Sequence, residues 1–371
     1  MINDQPSKKR IPLKVAFILA STALFSAVLI FLTVLTAQNG THYLNHLPEA
    51  HRLRTLGKFF RQPTRNGSKK LQKLRKSSPP TGTKSVPLYD SEANLKPVGL
   101  RNPDRRCFFN SVVQFLYHDR TFRRILTRNI RSNERLAALS EFFAQMDASA
   151  PKSQLSAPIR TLLPDYLANG YEQDAAEALQ NFLDDIEDPE ITLQTRITVT
   201  NVLLDGSTQV SSTYDEPRRL IQLNIPLESS KPNSLQSLFE LQFAEESIEA
   251  SGSEAERVRV KVRTTTFLEL PQTLLIQLVR QNFLNDGHKI NDEIEASQFI
   301  QITGQDGKLA QYQLNGFIHH QGQSMDSGHY IAYLRQADNT VTLFNDVMIK
   351  FNADISKDKN FAYIYSYVRV N

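Results

Sequence analysis

Cys107 is the only cysteine in a chain of 371 residues, and it stands directly before an apolar run, Phe108-Phe109-Asn110-Ser111-Val112-Val113-Gln114-Phe115-Leu116. A thiol in such a place can act as a nucleophile. Attack on a carbonyl needs a thiolate, a base to take its proton, a third group to orient the base, and donors for the oxyanion. A helix beginning at Cys107 would set the sulfur at the positive end of the helix dipole, which favours the thiolate. Arg105 and Arg106 push the same way if they face it. On these residues alone a buried structural cysteine fits as well. The count of one excludes an intramolecular disulfide and any zinc ribbon built on cysteines.

The elements that would position this chemistry begin near Leu95. A helical segment follows Cys107. Another starts near Asp174, with Leu179, Phe182, Leu183 and Ile186 at helical spacing. After Thr192 the strand pattern dominates, over Thr192–Val202, Arg219–Ile225, Val258–Thr265, Thr273–Val279, Tyr312–Ile318, His329–Leu334, Thr340–Phe344 and Ala362–Val370. Helices first and strands later predict an α+β domain with a cleft between two lobes. No internal repeat is present.

Four segments are expected: a basic tail (1–14), a membrane span (15–37), a basic, turn-rich linker (38–94) and a catalytic domain (95–371). Val15–Ala37 carries no charge and is long enough to cross a bilayer. Leu35 makes a poor cleavage site ending at Ala37, so a retained helix is expected rather than a removed signal. Lys8, Lys9, Arg10 and Lys14 oppose Arg52 and Arg54 across the span, so the positive-inside rule does not orient it. The linker contains Ser77-Ser78-Pro79-Pro80-Thr81-Gly82-Thr83 and two glycosylation-type triplets, at Asn39 and Asn66. The chain's net charge of +4 hides an asymmetry. From residue 85 onward 28 Lys/Arg face 37 Asp/Glu, a net of −9, which argues against nucleic acid as a partner and favours a basic one.

Gly99-Leu100-Arg101-Asn102, then Cys107-Phe108 and Asn110-Ser111 with Gln114, resembles the cysteine box of the ubiquitin-specific proteases. Ser327-Gly328-His329-Tyr330, followed by Leu343-Phe344-Asn345-Asp346, resembles their histidine box. Glu172-Gln173-Asp174-Ala175-Ala176-Glu177 is similar to their Gln-Asp-Ala-x-Glu helix start. Leu270-Pro271-Gln272 with the strand after it, and Ala362–Val368 at the end, extend the likeness from Val98 to Val368 in the family's order. The resemblance implies a papain-like α+β fold of thumb, palm and fingers, behind one N-terminal transmembrane helix. It implies Cys107 as nucleophile, His329 as general base, Asn345 as the residue that orients its ring, and Asn102 as the oxyanion side chain with Asp346 assisting. Asp174 and Tyr330 are implied to meet the ubiquitin tail. Asp174 also reads as a helix N-cap with Glu177 in a capping box.

The implied activity is thiol-dependent hydrolysis at the carboxyl-terminal glycine of ubiquitin, with ubiquitin or its conjugates as partners and no cofactor. The catalytic domain would then face a eukaryotic cytosol. Scarce cysteine and absent tryptophan are also features a bacterial effector acting in a host cell could show. Two departures from the family's pattern matter. Pro103-Asp104-Arg105-Arg106 replaces the usual Gly-Asn-Thr-like approach to the cysteine, which predicts a stiffer or misaligned loop and leaves room for an inactive ubiquitin binder. The finger segment, 192–265, lacks the family's cysteine pairs, so metal-free fingers held by strand pairing are expected. A protease for another ubiquitin-like modifier is the remaining alternative. His319 and His320 read as strand-end residues, and the Phe108-Phe109 pair as core.

Overall fold

Cys107–Tyr117 forms a helix with every residue buried, the polar Asn110, Ser111 and Gln114 included. In this computed structural model the described residues are 95–370, apart from 130–132, 151–152, 228–232 and 283–287. The expected span at Val15–Ala37 and the linker lie outside them. Among the described residues no helix is long and apolar enough to cross a membrane.

Three further helices build the lobe around this central one. Ala175–Leu183 starts where expected, with Asp174 as N-cap accepting from the Ala176 N–H at 2.6 Å. Leu179, Phe182, Leu183 and Ile186 are all fully buried, although the helix ends at Leu183 and Ile186 belongs to the turn beyond it. Phe108 and Phe109 are both buried, and Phe109 stacks on Phe182 with ring centroids 6.4 Å apart, so the phenylalanine pair is core as expected. Arg120–Asn129 and Glu134–Ala148 complete the lobe. Arg123, fully buried, is neutralised by Asp147 at 3.0 Å and covers the Tyr117 ring.

The cysteine helix packs against an eight-stranded sheet, the palm. Its path runs Met348–Lys350, Val341–Asn345, His329–Arg335, Leu309–Gln321, Ile364–Arg369, Thr273–Val279 and Leu220–Asn224, with Phe299–Thr303 added beside Leu309–Gln321. Only the Leu220–Asn224 pairing with Thr273–Val279 is parallel in this sheet. At Gly316 a bulge shifts the register, and a Cβ there would stand 2.7 Å from the Tyr333 carbonyl oxygen.

The finger sheet has four strands in the order Thr208–Arg218, Leu193–Leu203, Val258–Glu269, Glu246–Glu249. Leu193–Leu203 pairs along nearly its whole length on both sides. Thr208–Arg218 was not anticipated. It is exposed over most of its length, so it lacks the alternation that marks a half-buried strand. Among the described residues no group of three or more His, Cys, Asp or Glu side chains is arranged to hold a metal.

Candidate active site

Cys107 occupies the first turn of its helix, 4% exposed, and Arg106 before it makes no side-chain cap. The first N–H groups of the helix are therefore left to whatever faces them, as an anion site requires. His329 opens the strand His329–Arg335, which packs on the cysteine helix. Among the causes that push its imidazole up to about 9, the Cys107 side chain is the largest. Burial opposes the shift, while the Asn345 hydrogen bond and the Cys107 and Asp346 charges support it. The His329 Nε2 lies 2.7 Å from Asn345 Oδ1. An amide oxygen can only accept, so Nε2 carries the proton in that contact, and Nδ1 is left for the sulfur. Asn345 ends the neighbouring strand Val341–Asn345, whose pairing with the histidine strand stops at Ala332↔Phe344. The two strand ends splay beyond that pair and carry the two side chains to one spot.

Asp346 follows in a left-handed conformation, φ 50°. Its Oδ2 accepts from Asn102 Nδ2 at 2.9 Å and lies 3.8 Å from His329 Nε2. Its Oδ1 accepts from Asn110 Nδ2 at 2.7 Å, and its carbonyl accepts from the Leu100 N–H at 2.9 Å. One residue thus ties the histidine strand's partner to the loop that carries Asn102 and to the cysteine helix. Gly99 permits this closeness, because a Cβ there would meet the Val347 carbonyl oxygen at 2.8 Å. Asn110 was quoted in the cysteine box but given no role. A 2%-exposed asparagine on an apolar helix is the signal that marks it, since such an amide needs partners.

The loop before the nucleophile differs from its expected form. Asn102 Oδ1 accepts from the Arg106 N–H at 2.6 Å and closes the turn on itself. Arg105 takes a left-handed conformation, φ 52°. Asp104 ion-pairs with Arg106, whose guanidinium also donates to the Ala157 carbonyl at 3.2 Å.

Asp174 and Tyr330 sit together at the thumb–palm junction. The Tyr363 hydroxyl donates to Asp174 Oδ2 at 2.8 Å and accepts from Gln277 Nε2 at 2.7 Å. Burial pushes the Asp174 carboxyl above its ordinary range. Tyr330 is 5% exposed, with its ring against His320 at 4.5 Å, so the structure leaves little of its surface open to a ligand. His320 is buried at the end of Leu309–Gln321, and His319 is half-buried beside it. Lys289 Nζ donates to the carbonyls of His320 and Gly322 at 2.6 and 2.9 Å, fixing the base of the loop that leads to His329. The far end of that loop meets the thumb, where the Gly328 N–H donates to Glu172 Oε2 at 3.3 Å.

Residues 98–367 match the family model described as UCH, ubiquitin carboxyl-terminal hydrolase. Ubiquitin carboxyl-terminal hydrolase 26 of Arabidopsis thaliana is 27% identical over 278 residues, covering 66% of this chain and 25% of that protein. Ubiquitin carboxyl-terminal hydrolase 7 of Caenorhabditis briggsae is 23% identical over 335 residues, 79% of this chain and 29% of that one. The chain thus spans only about a quarter of the length of such relatives. Among solved structures, the SAGA Ubp8/Sgf11/Sus1/Sgf73 DUB module bound to ubiquitin aldehyde shares the fold, with a TM-score of 0.59 at 21% identity over 74% of this chain and 69% of that one. The family match takes in the cysteine helix, both strands that carry His329 and Asn345, and the closing strand of the palm: the chain belongs to the ubiquitin carboxyl-terminal hydrolase family, among its ubiquitin-specific proteases.

Proposed function

We propose that this protein is a deubiquitinating cysteine protease that hydrolyses the peptide or isopeptide bond at the carboxyl-terminal glycine of ubiquitin. The observation that carries this reading is His329 held at Nε2 by Asn345 Oδ1 at 2.7 Å, with Cys107 the largest influence on the proton of the same ring. The Cys107 thiolate attacks the glycine carbonyl carbon while His329 holds the proton. The oxyanion meets the Cys107 N–H and the Asn102 Nδ2 hydrogen that Asp346 does not use. His329 then gives its proton to the leaving amine, and the C–N bond breaks to leave a thioester. Water, deprotonated by His329, attacks the thioester, and ubiquitin leaves with a free carboxylate as the thiol is restored. Asn345 fixes the tautomer throughout, in the manner of Cys-His-Asn proteases. Asp174, at the junction of thumb and palm, would face the basic tail of ubiquitin, and the net −9 from residue 85 onward favours that encounter.

The full chain, incubated with ubiquitin bearing a carboxyl-terminal thiol-reactive electrophile, forms a covalent adduct. Cys107→Ala abolishes the adduct, and His329→Ala slows its formation at least a hundredfold. No adduct from a folded chain would sink the reading in favour of a non-cleaving ubiquitin binder. Adducts only with another ubiquitin-like probe would move the substrate class. We further propose that Val15–Ala37 anchors the protein with its catalytic domain towards the cytosol, where ubiquitin resides. A protease-protection assay that finds the catalytic domain in a lumen would refute that placement.

A further inference from the structure

The Pro103-Asp104-Arg105-Arg106 segment sets this chain apart from its family's usual pattern, and the steps proposed above assign its charges no part. It forms one wall of a cavity of about 560 Å³ that begins one residue from the nucleophile. Ile159 and Arg160 form a second wall, and the loop ending at Tyr171 a third. Three arginines, Arg105, Arg106 and Arg160, line it with a single acidic residue, Asp104. Asp104 is already paired with Arg106. Arg105 and Arg160 are exposed and have no ion-pair partner among the described residues. The Arg106 Nε is buried with no acceptor, although the rest of that guanidinium is satisfied. Tyr171, 67% exposed, offers an aromatic edge at the rim. A pocket with surplus positive charge is unexpected in a region whose net charge is −9.

None of the residues that the deubiquitinase reading assigns to the ubiquitin tail lines this cavity. A site so close to Cys107 and free of the tail is left for the other half of the substrate. We propose that this arginine pocket is a specificity site for the leaving group: it binds an acidic side chain of the target protein next to the ubiquitinated lysine. Fixed guanidiniums favour a carboxylate with its two oxygens over other polar groups. The unusual approach to the cysteine thereby acquires a purpose, selection among conjugates instead of loss of activity.

This inference rests on the deubiquitinase reading, and its test keeps the two apart. Ubiquitin is joined through an isopeptide bond to a short peptide whose lysine is flanked by Glu, or by Lys in the matched control. Ubiquitin bearing a fluorogenic leaving group reports basal activity. The full chain should hydrolyse the Glu-flanked conjugate with kcat/KM roughly three- to tenfold above the control at low salt, as partly exposed charge-assisted contacts allow. The preference should shrink as salt rises. Arg160→Gln should remove most of the preference and Arg160→Glu should reverse it, both with fluorogenic turnover unchanged. The same comparison is available without turnover, as the affinities of the two conjugates for the Cys107→Ala form. Equal values for the two conjugates, or a preference indifferent to both Arg160 variants, would overturn the pocket. Absent fluorogenic turnover would count against the deubiquitinase reading, with the binding comparison still deciding the pocket.

Discussion

His329 is held between two partners of different kinds, and its protonation follows from both. The Cys107 side chain contributes most to its retained proton, and the Asn345 amide oxygen adds to it. The imidazolium therefore survives to about pH 9, and the alkaline limb of kcat/KM belongs near that value instead of near the ordinary 6.5. Asn345→Ala removes one of the raising contacts and frees the ring, so the limb should move to lower pH and kcat should fall roughly 10²- to 10⁴-fold. A pH profile on a fluorogenic ubiquitin substrate measures both. A limb that does not move on Asn345→Ala would show that the amide only occupies space. The likeness of the cysteine and histidine boxes to the family's pattern singles out Cys107, His329, Asn345, Asp346 and Asn102, and the fold brings the last four within contact of one another. Asn110 and the Arg106 contacts were not legible in the sequence, because their roles depend on which carbonyl or carboxylate comes near in three dimensions, and no spacing records that.

The two elements that deliver the histidine are a strand and the loop 322–328 before it, and the loop is held by very close packing. A Cβ at Gly328 would lie 2.4 Å from both His320 Nε2 and the Gln321 carbonyl oxygen. His320 is itself buried and braced by Tyr330, so it cannot retreat. Gly328→Ala should therefore push the loop outward and carry His329 with it. A displacement of about 1 Å costs on the order of 10²-fold in rate, and the overpacking about 1–3 kcal/mol of stability. Steady-state kinetics beside a urea melt would separate the two effects; a variant with wild-type kcat would mean that the neighbours yield. At this scale the sequence was informative wherever one face is buried. Ala175–Leu183, Thr273–Val279 and the histidine strand all fell near their expected places. Glu134–Ala148 carries helical spacing in Leu136, Leu139, Phe143 and Met146, yet no element was assigned to it. The finger strand Thr208–Arg218 offered no pattern, because its pairing is set by Leu193–Leu203 and not by a buried face of its own.

Among the described residues of the whole molecule, three imidazoles are kept neutral by burial. His118 packs against Tyr117 and Phe344, with ring centroids 5.0 and 4.7 Å away, and is pushed down to about 3 by burial and by the Arg123 charge. His319 and His320 are each pushed down to about 4, mainly by burial, with Asp358 opposing at His319. In the unfolded chain all three bind a proton as pH falls below about 6.5, while the folded protein does not until far lower. The unfolded state then binds more protons, so stability falls between about pH 6.5 and 4, by up to about 1.4 kcal/mol per pH unit for a fully buried histidine. Asp119 and Asp174 act in the opposite sense. Burial raises both carboxyls, so the folded state takes up their protons earlier, and this offsets part of the loss at the acid end. His329 acts on the alkaline side: its contribution is complete below about 6.5 and disappears as pH rises through about 9. Stability should therefore peak near pH 6.5–7 and fall away in both directions. Urea midpoints taken between pH 9 and 4.5 would trace this curve. His118→Phe keeps a ring against Tyr117 and Phe344 but removes the proton site, so it should flatten the acid limb while leaving the alkaline one unchanged. An acid slope that survives His118→Phe undiminished would mean that this buried imidazole is not among its causes.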